Sequence, residues 1–336
     1  MKFDTSIGFG ADLTDAPALA RAAEAIGFDA LWSSETQHDP FLPLALVAEH
    51  TQRIRFGTAV AIAFARSPVV LAHTAWDLAG QSGGRFILGL GTQVKPHIER
   101  RFGMPWSGKP VAQLREFVLA LRAMWDCWQN GTRMNFRGEH YKITLMTPFF
   151  SPAPIRHPAI PIYIAGVGAP LSRVAGEVAD GFVVHPLNTA RYLAEVVRPA
   201  IEEGARRAGR SARDVVVSGS AFVALDEAER EAARAQVSFY ASTPSYRPVL
   251  DLHGWADIGE QLSALAARGR WDEMPALIGD EVLDAFCISA TWADVADRVK
   301  ARYAGLVDRI MFYRPFTPGV EDEHWRRTAA KLSAEG

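Results

Sequence analysis

Eight short apolar runs recur along this sequence, and each is followed by turn residues and then by a helical stretch. Several runs are apolar at successive positions, which is typical of strands buried on both faces of a parallel sheet. Strands that alternate with helices predict βαβ units, and eight such units predict a closed (β/α)8 barrel, the TIM barrel of the α/β class. The predicted strands cover residues 3–8, 30–33, 54–60, 86–90, 162–165, 182–185, 215–223 and 309–313.

The 336 residues of the chain exceed a minimal barrel of about 250 residues. Residues 134–160 contain alternating apolar positions around Arg137-Gly138-Glu139, which predicts a hairpin followed by a proline-rich loop. Residues 226–289 have a helical pattern and are longer than one crossover requires. We interpret both stretches as insertions, after strands 4 and 7, in a single domain that spans residues 1–336.

The composition excludes some classes of binding partner. The 36 basic and 38 acidic side chains give a net charge of −2, which excludes a strongly basic nucleic-acid-binding surface. The longest uncharged apolar run, residues 58–65, is far shorter than the ~20 residues that span a membrane. Two cysteines can form at most one disulfide, which is too few to stabilise a chain of this size. So low a cysteine content is typical of proteins in a reducing compartment. We therefore expect a cytoplasmic protein with neither a nucleic-acid nor a membrane partner.

Functional side chains of a TIM barrel follow the carboxyl ends of its strands. After the second predicted strand, the loop 34–40 contains Glu35 and His38, and it is the best candidate for a catalytic loop. A capped polar loop that leads into the next helix would have the same composition. After the third strand, Ala59 and Val60 belong to an uncharged segment whose small side chains suit either a cofactor ring or a tightly packed barrel mouth.

Glycines follow the fourth and fifth predicted strands. The segment 88–94, which includes Thr92 and Gln93, resembles half of a dinucleotide-binding fingerprint, but Val94 stands where the third glycine is required. Gly166-Val167-Gly168 opens a helix, where free backbone N–H groups can hold a phosphate. A tight turn between strand and helix explains the same three residues.

The remaining signals are weaker. His185 follows the sixth strand alone, and a lone histidine is more often packed or hydrogen-bonded than a ligand. No His-Glu-x-x-His motif occurs, so we expect no metal centre. Four aromatic residues could line an apolar pocket, and core packing explains them equally well: Trp76, Trp106, Phe149 and Phe150.

Residues 82–91, Ser-Gly-Gly-Arg-Phe-Ile-Leu-Gly-Leu-Gly, resemble the signature of the bacterial luciferase-like family, in which Gly-Arg precedes a strand that ends in Gly-x-Gly. Three further segments, 22–32, 55–68 and 160–181, agree with the family in order and spacing. The subset that this chain resembles most is the coenzyme F420-dependent oxidoreductases. Members are TIM barrels that bind FMN or the deazaflavin coenzyme F420 at the strand ends, and they carry out hydride transfer or oxygen-dependent monooxygenation.

The resemblance implies roles for individual residues. Gly166, Val167 and Gly168 match the loop whose amides hold the cofactor phosphate. Ala59-Val60 matches the end of the third strand, where the family often has a non-proline cis peptide behind the cofactor ring. Thr92 and Gln93 match positions beside the ring, and His185 matches a contact after the sixth strand. A homodimer is also implied.

The catalytic loop departs from the family pattern. Sugar-phosphate dehydrogenases of the family have Asp-His after the second strand, where this chain has Glu35-Thr36. Their acid after the fourth strand aligns with Val94, and their lysine after the sixth falls near Asn188. We therefore do not expect a sugar-phosphate substrate. His38, two residues along the loop, either substitutes for the missing histidine or caps the loop, and we favour His38 with Glu35 as polar partners of the cofactor or substrate.

These observations predict an oxidoreductase that transfers a hydride between coenzyme F420 and a small organic substrate. Two alternatives remain open, namely an FMN-dependent luciferase-like monooxygenase and a non-catalytic flavin-binding relative. A metal-dependent hydrolase is disfavoured because the usual ligand motifs are missing.

Overall fold

Eight parallel strands close into a barrel in the computed structural model, which describes residues 1–8 and 10–334. Each barrel strand pairs with the next one along the chain, and the last pairs with the first, placing Ile310 opposite Phe3. The predicted (β/α)8 fold class is therefore confirmed. The barrel strands are β1 (Lys2–Ser6), β2 (Ala30–Ser33), β3 (Arg55–Thr58), β4 (Phe86–Gly91), β5 (Ile162–Gly166), β6 (Gly181–Val184), β7 (Val216–Ala224) and β8 (Arg309–Phe312).

Helices connect the strands, and their ends follow ordinary capping chemistry. Ser67 accepts a hydrogen bond of 3.3 Å from the Val69 N–H at one helix start, and Gly27 ends another helix with a φ of +99°. A π-helical turn, Leu193–Val197, joins two α-helical pieces into one continuous segment. The α-helices are α1 (Ala16–Ile26), α2 (Leu42–His50), α3 (Pro68–Gln81), α4 (Lys95–Arg100), α5 (Pro110–Asn130), α6 (Ala169–Val178), α7 (Ala190–Tyr192), α8 (Arg198–Arg207), α9 (Glu227–Ala241), α10 (Arg247–Leu252), α11 (Ala256–Ala267), α12 (Asp280–Phe286), α13 (Val295–Tyr303) and α14 (Asp322–Ser333).

Alternate side chains of each strand point outward and build the main core against the helices. Phe3 of β1 packs 4.9 Å from Phe312 of β8 and 6.2 Å from Trp325 of α14, measured between ring centroids. All three side chains are almost fully buried. This apolar layer attaches the helices to the barrel and explains why the strands are apolar on their outer face.

The inward-facing side chains in the amino-terminal half of the barrel are bulky, and several are polar. Arg309 donates hydrogen bonds of 2.8 and 2.6 Å to the two carboxylate oxygens of Asp4. The indole N–H of Trp32 donates to the same carboxylate at 2.9 Å, and its ring lies 6.0 Å from that of Tyr163. A Cβ on Gly57 would lie 2.9 Å from the Trp32 ring, so the strand needs a glycine there. These groups close the barrel floor.

Both long connections contain additional structure. After β4 and helices α4 and α5, Phe136–Arg137 pairs antiparallel with Lys142–Ile143, which confirms the predicted hairpin. The stretch after β7 contains helices α9 to α12, as its pattern indicates, but it ends in a strand, Cys287–Ser289, that pairs in parallel with β7. Sequence periodicity misses this strand because three residues at the end of a helix are too few to show an alternation.

Across residues 1–8 and 10–334, no helix combines the length and the apolar character needed to cross a membrane.

Candidate active site

The carboxyl ends of the barrel strands meet at one mouth, and its two sides differ in the size of their side chains. Positions that continue the inner face of β3, β4 and β5 are small. Positions that continue the inner face of β6, β7 and β8 are aromatic, and two tyrosines from the connection after β7 pack over that side. We call these sides the small-residue half (Ala59, Gly89, Gly91 and Ala165) and the aromatic half (His185, Phe222, Tyr240, Tyr246 and Tyr313).

The chain after β3 follows an irregular course into the small-residue half. The Ala59–Val60 peptide bond is cis, as the family resemblance implies for this position. Ser34 donates a hydrogen bond of 2.8 Å to the Ala59 carbonyl, and the Glu35 N–H donates to the Val60 carbonyl at 3.1 Å. A short strand, Ala61–Ile62, then pairs with the end of β4. The segment is therefore fixed from both sides, by the loop after β2 and by β4.

The Glu35 carboxylate contributes to that attachment. Its Oε2 accepts a hydrogen bond of 2.7 Å from the Ile62 N–H and one of 2.6 Å from Arg66. Arg66 also donates to Asp39 at 3.1 Å, so one guanidinium joins both ends of the loop after β2. The Glu35 side chain is buried and occupied by these contacts. Its position indicates a role in holding the loop and the Ala59–Ile62 segment together.

His38 lies on the same loop but is exposed. It lines a cavity of about 210 Å³ between the loops that follow β1 and β2, together with Ser34, Asp12 and Asp39. Among the described residues, no hydrogen bond joins His38 to Glu35, and the two are linked only through the Asp39–Arg66 contact. The predicted pair therefore shares a loop, with different surroundings for each side chain.

Thr92 and Gln93 follow β4 directly and are partly exposed at the mouth. Gln93 has a φ of +56°, and its side-chain oxygen accepts a hydrogen bond of 3.0 Å from the Val94 N–H. Because Ile62 pairs with Gly91, these residues lie beside the Ala59–Ile62 segment. The structure thus brings together the two predicted ring-side segments.

Gly166-Val167-Gly168 forms the turn between β5 and α6. Gly168 has a φ of +91°, a conformation that favours glycine, and it directly precedes the helix. Its carbonyl accepts hydrogen bonds from the Ser172 N–H at 3.3 Å and the Ser172 hydroxyl at 3.1 Å. Gly168 is the N-cap of α6 and Pro170 has no N–H, so the Ala169 and Leu171 N–H groups at the helix start have no partner within the helix and are available to an anion.

A buried hydroxyl faces the same turn. The Tyr192 oxygen lies 3.9 Å from the position of a Cβ on Gly168, and it has no hydrogen-bond partner among the described residues. Burial raises the pKa of Tyr192, which keeps the hydroxyl protonated and able to donate. A buried donor without an acceptor is costly, and a phosphate oxygen would satisfy it. Sequence reasoning missed Tyr192, because it lies far from the glycines along the chain.

His185 follows β6 and is held as a neutral imidazole. Its Nδ1 accepts a hydrogen bond of 3.1 Å from the Leu187 N–H, so the proton of the neutral ring is on Nε2. Burial lowers the pKa of His185 to about 4. Near neutral pH the ring can therefore offer an N–H donor but carries no charge.

The aromatic half packs around this histidine. The His185 ring lies 4.7 Å from Tyr240 and 4.1 Å from Tyr246, measured between centroids. The Tyr240 and Tyr313 hydroxyls are 2.5 Å apart, and the Tyr313 ring lies 4.7 Å from Phe222. Of the predicted pocket residues, Trp76 is buried in the core, Phe149 and Phe150 are 89% and 65% exposed, and Trp106 is partly buried with its ring 6.1 Å from Phe64.

Metal ligands are not clustered in the part of the chain that the structure describes. No group of three or more His, Cys, Asp or Glu side chains there could hold an ion. The mouth offers a ligand backbone amides, hydroxyls, one neutral imidazole and one exposed imidazole, and the cavity beside His38 adds the carboxylates of Asp12 and Asp39.

Comparison with known proteins gives consistent matches over most of the chain. A sequence profile described as luciferase-like monooxygenase matches residues 1–309. The uncharacterized protein Rv1360 of Mycobacterium tuberculosis is 48% identical over 305 residues, which cover 87% of this chain and 89% of the relative. The 5,10-methylenetetrahydromethanopterin reductase of Archaeoglobus fulgidus is 29% identical over 309 residues, which cover 89% of each chain.

A solved structure has the same fold. The coenzyme F420 dependent tetrahydromethanopterin reductase from Methanopyrus kandleri superposes with a TM-score of 0.78 over 98% of each chain, at 22% sequence identity. At this identity the superposition establishes a common barrel architecture.

Proposed function

Because the chain belongs to the luciferase-like monooxygenase family, we propose that it is an oxidoreductase that transfers a hydride between coenzyme F420 and a small organic substrate. The observation that carries the proposal is the turn at Gly168, beside which the buried Tyr192 hydroxyl has no hydrogen-bond partner among the described residues. The relatives from Archaeoglobus fulgidus and Methanopyrus kandleri support the reductase assignment, and the second is named as coenzyme F420 dependent.

The residues around the small-residue half fit such a cofactor. The amides of Gly166, Val167 and Gly168, with the Tyr192 hydroxyl, would hold its phosphate. Ala59 and Val60 have small side chains, so a flat ring would lie against them at the strand ends. The bound deazaflavin would supply the carbon that accepts or donates the hydride.

Residues beside the ring would orient it. Thr92 and Gln93 lie along the same edge of the mouth, next to the Ala59–Ile62 segment. His185, neutral with its proton on Nε2, would donate a hydrogen bond from the opposite side. Since neither side brings a fixed charge, the protein would bind the ring by shape and hydrogen bonds.

We assign different tasks to the two polar residues of the loop after β2. His38 lines the cavity beside β1 and β2, where its imidazole could hold or move a proton for the substrate. Glu35 would act as a positioning residue, because its carboxylate holds Ile62 and Arg66. The loop would thereby be fixed in place while His38 stays accessible.

A second candidate function is a reduced-flavin monooxygenase that uses FMN. The description of the matching family favours it, since that description names a monooxygenase. A relative that binds flavin without turnover is the third reading, because the loop after β2 departs from the pattern of the sugar-phosphate dehydrogenases.

Titration of the purified apoprotein with coenzyme F420 and with FMN tests these readings. We expect F420 to bind more tightly, with changes in its absorbance and fluorescence, and to be reduced or oxidised when a substrate is supplied. Tighter FMN binding with oxygen uptake would favour the monooxygenase, and FMN binding without turnover would favour the non-catalytic relative. If neither cofactor binds, the proposed function is wrong.

We also propose that the enzyme works in the cytoplasm as a homodimer on a small-molecule substrate, without nucleic acid or membrane. An exposed apolar segment supports self-association. Phe149 and Phe150 protrude beside α3, where His73 lies 3.4 Å from the Phe150 carbonyl and Val70 is 61% exposed. Light scattering coupled to size-exclusion chromatography tests the oligomeric state, and a monomer at micromolar concentration would contradict the proposal.

A further inference from the structure

The aromatic half is built from parts of the chain that are far apart in sequence but meet over three neighbouring strand ends. Side chains two residues apart on a strand share a face, so Tyr313 points into the mouth like Arg309 and Met311. By the same alternation, Phe222 continues the inner face of Ser218 and Ser220. The α9 residue Tyr240 and the following Tyr246 then cover this side from above.

No fixed charge faces this side from the described residues that build it. His185 is neutral, and burial raises the pKa values of Tyr240, Tyr246 and Tyr313, so all three keep their protons. The neighbouring Arg314 is occupied by Glu229 at 2.8 Å and Glu321 at 2.7 Å. A ligand on this side would therefore meet aromatic faces and neutral donors.

The tyrosine pair leaves one hydrogen for a third group. Two hydroxyls that bond to each other at 2.5 Å use one hydrogen, since one oxygen donates and the other accepts. Each of the three tyrosines is only partly buried, so a bound molecule can reach them. A ligand oxygen that accepts the second hydrogen would complete the pair.

We infer that the aromatic half is the substrate subsite, and that it takes an uncharged molecule with a flat apolar body and a carbonyl or hydroxyl oxygen held by Tyr313 and Tyr240. The inference rests on the proposed function and specifies its substrate class. The partly exposed Tyr246 ring would stack against the flat body, the buried Phe222 ring would support Tyr313 from behind, and the hydroxyl pair would fix the oxygen. An anionic substrate is disfavoured because it would be desolvated without a cation to pair with.

Acetophenone and benzoate make a matched pair of probes, because they share a ring and differ in carrying a neutral ketone or a carboxylate. Binding to the protein, with and without saturating coenzyme F420, can be measured by ligand-observed NMR. We expect acetophenone to bind and benzoate to bind at least about tenfold more weakly. Equal or tighter binding of benzoate, or no binding of acetophenone at millimolar concentration, overturns the inference.

Conservative variants test the tyrosine pair directly. Tyr313→Phe and Tyr240→Phe are each expected to weaken acetophenone binding about fivefold, the value of one hydrogen bond between neutral groups. Two controls should leave it unchanged: Tyr141→Phe, which removes a hydroxyl in the hairpin, and Phe239→Leu, which changes an exposed ring next to Tyr240. Acetophenone affinity that is the same in all four variants contradicts the assignment.

Failure of this inference and failure of the proposed function give different results. The tyrosine variants should bind coenzyme F420 like the wild type, because its phosphate is assigned to the turn at Gly168. Cofactor binding without acetophenone binding rejects the subsite alone. Acetophenone binding to a protein that binds no cofactor rejects the proposed function and keeps the subsite.

Discussion

The hydroxyl oxygen of Tyr192 lies 3.9 Å from the position that a Cβ atom on Gly168 would take. A side chain at Gly168 would therefore point toward the unpaired hydroxyl of Tyr192. The φ of +91° at this position would also strain any residue with a Cβ. We expect Gly168→Val to weaken cofactor binding by at least about tenfold, measured by fluorescence titration, while the circular dichroism spectrum persists.

Gly27→Val is a matched control for this variant. Gly27 has a φ of +99° with no atom within 4 Å of its virtual Cβ, and it ends α1 away from the mouth. The Gly27→Val variant should lose as much stability as Gly168→Val and keep the cofactor affinity of the wild type. Equal affinity loss in both variants would assign the effect to general strain and contradict the phosphate turn.

Removal of the Glu35 carboxylate should destabilise the mouth. Glu35→Ala leaves the Ile62 N–H without its acceptor and Arg66 with Asp39 as its one carboxylate partner, and we expect the free energy of unfolding to fall by about 2 kcal/mol. Urea denaturation measures it. Asp39→Ala removes the other Arg66 partner, but its side chain is 41% exposed, so we expect a loss below about 1 kcal/mol. The reverse ranking would contradict the role assigned to Glu35.

Removing one partner of the Asp4–Arg309 ion pair in the barrel floor should lower the free energy of unfolding more than replacing both partners with apolar residues. Asp4→Ala leaves a buried guanidinium, and we expect a loss of about 3–5 kcal/mol by urea denaturation. The double variant Asp4→Leu with Arg309→Met should recover most of it. Lys2 lies on the same strand as Asp4, and Lys2→Ala, which breaks an exposed ion pair with Asp29, should cost less than about 1 kcal/mol. Additive losses in the double variant would contradict this reading.

The pH dependence of stability should report on His185. Its folded-state pKa of about 4 lies below the ordinary value of 6.5, so the unfolded chain takes up the proton first as the pH falls. The contribution of His185 is fully present above pH 6.5 and is lost progressively toward pH 4. His185→Gln and His185→Phe should both flatten the decline in unfolding free energy over that range. A decline as steep as in the wild type would contradict a buried neutral ring.

The hairpin after α5 depends on one carboxylate. Glu116 accepts hydrogen bonds from the backbone N–H groups of Glu139, His140 and Tyr141, and a Cβ on Gly138 would collide with it. We expect Glu116→Ala to increase proteolysis within residues 134–160, with a local cost of about 1–3 kcal/mol and no change in cofactor affinity. Gly138→Ala should do the same by displacing the carboxylate. Protection equal to the wild type in both variants would contradict this anchoring.

The parts of the fold that depend on local periodicity could be predicted from the sequence. All eight barrel strands lie within two residues of their expected positions, because each run carries its own apolar pattern and turn residues. The third was expected to reach Val60, but β3 ends at Thr58. The Ala59–Val60 cis bond follows, and the chain pairs again with β4 at Ala61–Ile62.

The candidate site also has one part that could be predicted from local sequence and another that could not. The turn at residues 166–168 could be picked out from the sequence because its three residues are contiguous, and phosphate binding there stays a prediction. The aromatic half could not, since His185, Tyr240 and Tyr313 meet only through barrel closure and through the packing of the connection after β7. The role of Glu35 was also out of reach, because it depends on Arg66 from another loop.

The closed floor of the barrel has a consequence for how ligands exchange. Asp4, Trp32, Tyr163 and Arg309 leave no passage through the amino-terminal half, so every ligand of the mouth must arrive and depart through one opening. A cofactor and a substrate bound on the two sides of the mouth would therefore exchange with solvent through the same space.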